Sequence, residues 1–195
     1  MLAGLLCCAL LLAGCAEKVR LSSGKYKVEE TRHLQTIVTP EDLALLEGLS
    51  LLESADFSGS DCVEEISRWA EKHPQVTVTY TLPLPNGQMV DNHVQTLDLS
   101  GLDDSTLCAF AEKLPLLPAV KEISLGDVSA LSRETLDTLA AACPGAKLDY
   151  SLTMLGKSLT PDTSALELKG IGPTDLEEVL RLLPLLGEIR KIDLS

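Results

Sequence analysis

The sequence is poor in aromatic side chains and in positive charge. Aromatic residues make up 3% of the 195 residues: one Trp, three Tyr and two Phe. All except Tyr26 stand in periodic apolar segments where core packing accounts for them, so stacking platforms for bases or sugars are not evident. Lys and Arg number 16 against 29 Asp and Glu, a formal charge of -13. Such a field repels phosphate backbones and anionic lipid head groups, which argues against nucleic acid as a partner. Histidine is scarce as well, and His33, His73 and His93 show no HExxH or i,i+4 pairing. No CxxC, Cys/His couple, GxSxG or phosphate-cradling glycine loop is present. These absences predict no catalytic residue, no metal and no cofactor. Acidic pairs such as Asp103-Asp104 and Glu177-Glu178 fall where helices begin, and stabilising helix N-termini is their expected role.

An apolar run long enough to span a bilayer is also missing. The run at residues 1–15, MLAGLLCCALLLAGC, falls short of the roughly 20 residues a spanning helix needs, and has the length of a signal-peptide apolar region. Its ending, Leu12-Ala13-Gly14-Cys15, resembles the lipobox of bacterial lipoproteins. That resemblance implies lipidation at Cys15, cleavage before it, and anchorage to the bacterial cell membrane outside the cytoplasm. The departure is that no Lys or Arg precedes the apolar run. An ordinary secretory signal with a cysteine at the cleavage point is the alternative, and in both cases the mature chain leaves the cytoplasm. The boundaries expected are a signal peptide over 1–14, a polar membrane tether without clear period over 15–32, and a folded domain over 33–195. Cysteine counting fits: Cys7 and Cys8 leave with the signal, Cys15 takes lipid, and Cys62, Cys108 and Cys143 are too few and odd in number for a disulfide framework. All three are expected to be structural, Cys143 as a small buried apolar group after Leu136 and Leu139.

The positive features form an internal repeat. Residues 96–126 align without a gap to residues 165–195 at an offset of 69, with Leu97 on Leu166, Leu99 on Leu168, Leu107 on Leu176, and the LPLL at Leu114 on the LPLL at Leu183. Val120, Ile123 and Leu125 meet Ile189, Ile192 and Leu194 in the same register. A second pair of segments places Pro74 on Pro144 and Tyr80 on Tyr150 at an offset of 70. Apolar residues alternate at Val78 and Tyr80, Leu97 and Leu99, Ile123 and Leu125, Leu148 and Tyr150, Leu166 and Leu168, and Ile192 and Leu194, which predicts strands. Helical spacing intervenes at Leu107, Phe110, Leu114 and Leu117, and at Leu176, Val179, Leu183 and Leu186. Helix starts are expected at Thr39-Pro40-Glu41-Asp42 and at Asp61. Shorter steps between strands carry turns at Asn86-Gly87 and Gly156-Lys157, where a hairpin would fit.

Val94-Leu97-Leu99, Val120-Ile123-Leu125 and Ile189-Ile192-Leu194 carry the LxxLxL spacing, and from Leu34 onward the chain resembles bacterial leucine-rich repeat proteins. The resemblance implies an α/β solenoid with a parallel sheet on one face, helices on the other, and here unequal repeat lengths. The family's Asn or Cys after the strand is replaced by Leu102 and Ile171, so no buried asparagine ladder is expected. The closing KIDLS matches Glu122–Gly126, after which the earlier copy runs on, so the domain is expected to be truncated at Ser195. The alternative is a strand shielded by a dimer partner.

Two functions fit. One is a membrane-tethered scaffold presenting its sheet to a protein or other cell-envelope ligand; the other is the targeting or spacing arm of a larger envelope enzyme whose catalytic domain lies elsewhere. For the scaffold, alternation of side chains places Thr79, Asp98, Ser124, Asp149, Glu167 and Asp193 on the exposed side of the strands. Four of the six are acidic, which suits a basic partner, with Thr81, Ser100 and Ser151 as neighbouring hydrogen-bonding groups.

Overall fold

The computed structural model describes residues 17–187 and 189–193. Cys15, the signal sequence and Leu194 lie outside the described residues. The architecture is mixed α/β, with several small sheets and, among the described residues, five α-helices. The chain divides into two compact units, Met1–Val78 and Thr79–Ser195.

In the first unit, the segment read as an aperiodic tether contains an antiparallel hairpin, β1 (Lys18–Leu21) with β2 (Gly24–Lys27), Val19 opposite Tyr26. Its strands are too short and too polar for alternation to show, and tertiary contact fixes them instead. Leu21 is buried, and Ser22 in the turn donates from its N and Oγ to the two carboxylate oxygens of Asp42 at 2.8 and 2.5 Å. Asp42 lies in α1 (Pro40–Leu45), where it also accepts from Thr39 N while Thr39 Oγ1 accepts from Asp42 N, the reciprocal cap expected there. β3 (His33–Gln35), β4 (Ser54–Asp56) and β5 (Thr77–Thr79) follow one another in a sheet, β3 and β4 parallel. The second helix, α2 (Val63–Lys72), is capped at Cys62 rather than at Asp61. Cys62 Sγ donates to Val38 O, and Glu64 and Glu65 in the first turn supply the negative charge that the free N–H groups favour. Trp69 on α2 packs edge-on against Phe57 and stacks on His73.

The second unit opens with the hairpin β6 (Thr81–Pro83) and β7 (Met89–Asp91), turning at Asn86-Gly87. β8 (Thr96–Asp98), α3 (Asp104–Ala111), β9 (Glu122–Asp127), α4 (Arg133–Ala142) and β10 (Lys147–Met154) then alternate. β8, β9 and β10 are parallel and in register through Asp98, Ser124 and Asp149, after which the β9–β10 pairing slips by one residue and sets Tyr150 opposite Gly126; β11 (Lys157–Leu159) folds back on β10 as a second hairpin. β12 (Ala165–Glu167), α5 (Pro173–Leu182) and β13 (Lys191–Asp193) form a separate parallel pair joined by a helix. Both short steps in the sequence are therefore hairpins.

The internal repeat holds at the level of single hydrogen bonds. Tyr80 Oη donates to Leu116 O at 2.7 Å, and Tyr150 Oη donates to Leu185 O at 2.7 Å. In each copy a tyrosine, Tyr80 between β5 and β6 or Tyr150 within β10, clamps the short 3-10 turn formed by the LPLL motif, Leu114–Leu116 or Leu183–Leu185. Leu97, Leu99, Phe110 and Leu117 of one copy and Leu166, Leu168, Val179 and Leu186 of the other are all buried. Each such side chain contributes about 1.5–3 kcal/mol on burial, so matched core positions explain why the copies fold alike.

Candidate functional site

The six residues expected on one exposed face are divided among three sheets. Thr79 ends β5 and shares a hydrogen bond of 3.3 Å with His93 Nε2. Asp98, Ser124 and Asp149 stand directly side by side on β8, β9 and β10. Glu167 and Asp193 stand side by side on β12 and β13. The structure brings together one group of three and one group of two; a single hydrogen-bonded ladder of six is not formed. Asp98, Asp149 and Glu167 are exposed, while Thr79, Ser124 and Asp193 are partly covered.

The three-residue group has a definite geometry. A carboxylate stands on either side of a serine hydroxyl, and two strand spacings set the carboxylates about 10 Å apart. Asp98 Oδ1 accepts from Ser100 N at 3.0 Å, and hydrogen bonding to Ser100 holds its carboxyl below the usual range. Asp149 has Lys147 Nζ at 4.0 Å, an exposed pair of small energetic weight, and the partly covered Asp193 has Lys169 Nζ at 3.8 Å. Ser151 lies opposite Asp127, and Thr81 opposite Asp91 on the first hairpin.

Asp127, absent from the expected set, extends the acidic surface at the end of β9. Its Oδ1 accepts from Ser129 N at 2.8 Å and its Oδ2 from Thr153 Oγ1 at 2.8 Å, and the bonds from Ser129 and Thr153 lower its pKa. Asp127, Asp103 and Asp104 line a surface hollow of about 550 Å³ together with Leu102 and Ala130. A sequence signal for Asp127 exists. Asp56-Phe57-Ser58, Asp98-Leu99-Ser100 and Asp127-Val128-Ser129 each place an aspartate at a strand end, with the serine N–H bonded to its Oδ1. The middle residue is buried in all three. The motif turns the chain out of the strand, which is a local hydrogen-bond device that hydrophobic periodicity does not register. Gly126 serves the same bend in β9: its φ is +66°, and a Cβ there would lie 3.2 Å from Ser100 Cβ.

The histidines are spread apart. His33 Nδ1 bonds Ser54 Oγ at 2.8 Å across β3 and β4, and His73 Nδ1 bonds Trp69 O at 2.7 Å. Cys62, Cys108 and Cys143 are free thiols and partly buried, so Cys143 is less enclosed than its helical spacing suggests. It caps the C-terminus of α4, and the chain leaves the core at that point. Among the described residues, no group of three or more His, Cys, Asp or Glu is placed to hold a metal ion, and no helix is long and apolar enough to cross a membrane. Comparison with known proteins returned no matching family model and no matching curated protein.

Proposed function

We propose that the chain is a lipoprotein tethered through Cys15 to the outside of the bacterial cell membrane. In this reading its leucine-rich-repeat-like solenoid is a non-catalytic scaffold that binds a basic segment of an envelope protein. The observation that carries the binding part is the exposed, in-register row Asp98, Ser124 and Asp149 on three parallel strands. The two carboxylates stand about 10 Å apart on one rigid sheet, a spacing that two cationic side chains of one extended basic segment can reach together. Hydrogen bonds hold the carboxyls of Asp98 and Asp127 below the usual range, which favours their charged form. The lipobox-like ending at Cys15 supports the anchor, and the 69-residue repeat with its matched tyrosine clamps supports the repeat architecture. The test is capture of partners from an envelope extract by wild type and by a variant carrying Asp98→Asn, Asp149→Asn and Glu167→Gln. Loss of a salt-sensitive, basic protein from the captured set is expected. An unchanged and salt-insensitive set contradicts the reading.

A further inference from the structure

The β1–β2 hairpin gathers positive charge on one face of a protein that is otherwise acidic. Residues 17–33 hold five of the 16 Lys and Arg against three Glu, a net charge of +2, while the rest of the chain holds 11 against 26, a net charge of -15. The pairing sets Lys18 opposite Lys27 and Arg20 opposite Lys25, and alternation puts all four on the same face. All four are exposed. The other face is turned to the protein. Leu21 is buried, Val19 and Tyr26 are partly covered, and Val19 Cγ2 lies so close to Gly48 that a Cβ there would stand 2.7 Å from it. Lys27 pairs with Glu30 at 2.7 Å, whereas Lys18, Arg20 and Lys25 have no ion-pair partner among the described residues. Like charges directly opposite on antiparallel strands destabilise a sheet, so this arrangement costs the hairpin stability unless a negative surface meets it.

We propose that this four-cation face seats on the anionic lipid head groups of the membrane in which Cys15 is anchored, an inference that rests on the lipoprotein reading. Position selects this occupant. Cys15 precedes Lys18 by three residues, a reach of at most about 11 Å for extended chain, so lipid on Cys15 holds the hairpin beside the head groups. That reach is close to the Debye length of about 8 Å at physiological ionic strength, and the potential of an anionic bilayer is still felt across it. Each Lys or Arg near such a surface is drawn to it, and four on one rigid face are drawn together. The same surface repels the acidic remainder of the chain, so the attraction is confined to the hairpin and turns β1 and β2 toward the lipid. An acidic protein would have to displace head groups that the anchor already brings to this face.

The full chain, purified from the envelope, is placed on vesicles of phosphatidylcholine alone and on vesicles with half of it replaced by phosphatidylglycerol. Brief acetylation by acetic anhydride is then read lysine by lysine with mass spectrometry. Acetylation of Lys18 and Lys25 is expected to slow at least about threefold on the anionic vesicles and to recover at high salt, while the exposed Lys72 and Lys113 change little. Arg20→Glu, at an exposed position without an ion pair, leaves the fold intact and should return Lys18 and Lys25 to their rates on neutral vesicles. Flotation with the phosphatidylcholine vesicles reports the anchor separately, because neutral head groups offer the hairpin no net charge. A chain that floats with them yet shows equal labelling on both vesicles keeps its anchor and overturns the proposal. A chain that floats only with the anionic vesicles, with Lys18 and Lys25 protected, contradicts the anchor at Cys15 and supports the lipid-binding face. Protection in native envelope membranes but not on phosphatidylglycerol would assign the face to an acidic protein and overturn the proposal, as would undiminished protection in Arg20→Glu.

Discussion

Tyr80→Phe removes one oxygen from the clamp that recurs in both copies and keeps the ring. Tyr80 is 2% exposed, and its hydroxyl donates to Leu116 O at 2.7 Å. The change forfeits a hydrogen bond of about 1 kcal/mol and leaves the partly covered Leu116 carbonyl facing an apolar ring edge, for a total cost of about 1–2 kcal/mol. In Tyr150→Phe the equivalent bond to Leu185 O is lost at a half-buried site, where water replaces part of it, and the cost falls to about 0.5–1 kcal/mol. For a domain of this size about 1 kcal/mol corresponds to roughly 2–4 °C in the unfolding midpoint, so the two variants should separate clearly. The assay is thermal unfolding by far-UV circular dichroism, because Trp69, the sole tryptophan, belongs to the first unit and reports the wrong half of the chain. The two clamps belong to different copies and share no partner, so the double variant should lose the sum of the two costs. An unchanged midpoint for Tyr80→Phe, or a larger loss for Tyr150→Phe than for Tyr80→Phe, would refute the reasoning from burial.

Gly126→Ala should destabilise by about 1–3 kcal/mol, since the new Cβ meets Ser100 at 3.2 Å in a left-handed backbone region; equal denaturant midpoints for variant and wild type would contradict this. Burial raises the pKa of Asp42, but the hydrogen bonds from Ser22 and Thr39 outweigh it and hold the group below its ordinary value. A depressed folded-state pKa means stability present above the unfolded value of about 3.9 and lost as pH falls through the folded value. Asp42→Asn should therefore flatten the acid limb of a stability–pH curve, and an unchanged limb would count against this assignment. Cys15→Ala should accumulate as an uncleaved precursor without incorporated labelled palmitate; lipid still attached to that variant would rule out Cys15 as the anchor point.

The repeat was legible in the sequence because its signal is long-range and rests on core residues. Leu97, Ile123 and Leu166 mark buried strand positions, Thr39 marks a helix start, and Asn86-Gly87 and Gly156-Lys157 mark turns. All of these are local choices that burial and backbone sterics dictate directly. The pairing of strands was less legible. Alternation shows which side chains share a face of a strand, but not which strands hydrogen-bond, so the expected six-residue row divides between β5 and β8 and again where β10 turns into β11 instead of continuing to β12. The short strands β1 to β4 leave too few residues for a period to emerge. Their evidence lies in tertiary contacts, such as Ser22 on Asp42 and the in-register pair His33 and Ser54. Asp127 escaped notice because its role depends on the turn that follows β9, and only the recurrence of aspartate, an apolar residue and serine at strand ends announces it.

Binding of a fluorescent oligolysine peptide, followed by anisotropy at rising salt, addresses the acidic face most directly. The full chain is compared with two variants that remove the same charge: Asp98→Asn, Asp149→Asn and Glu167→Gln on the sheet, and Glu64→Gln, Glu65→Gln and Glu71→Gln on α2. The account predicts at least about tenfold weaker binding and a shallower salt dependence for the sheet variant, with the α2 variant close to wild type. Equal weakening by both variants would show that net charge alone attracts the peptide, and would contradict a binding site on the strands.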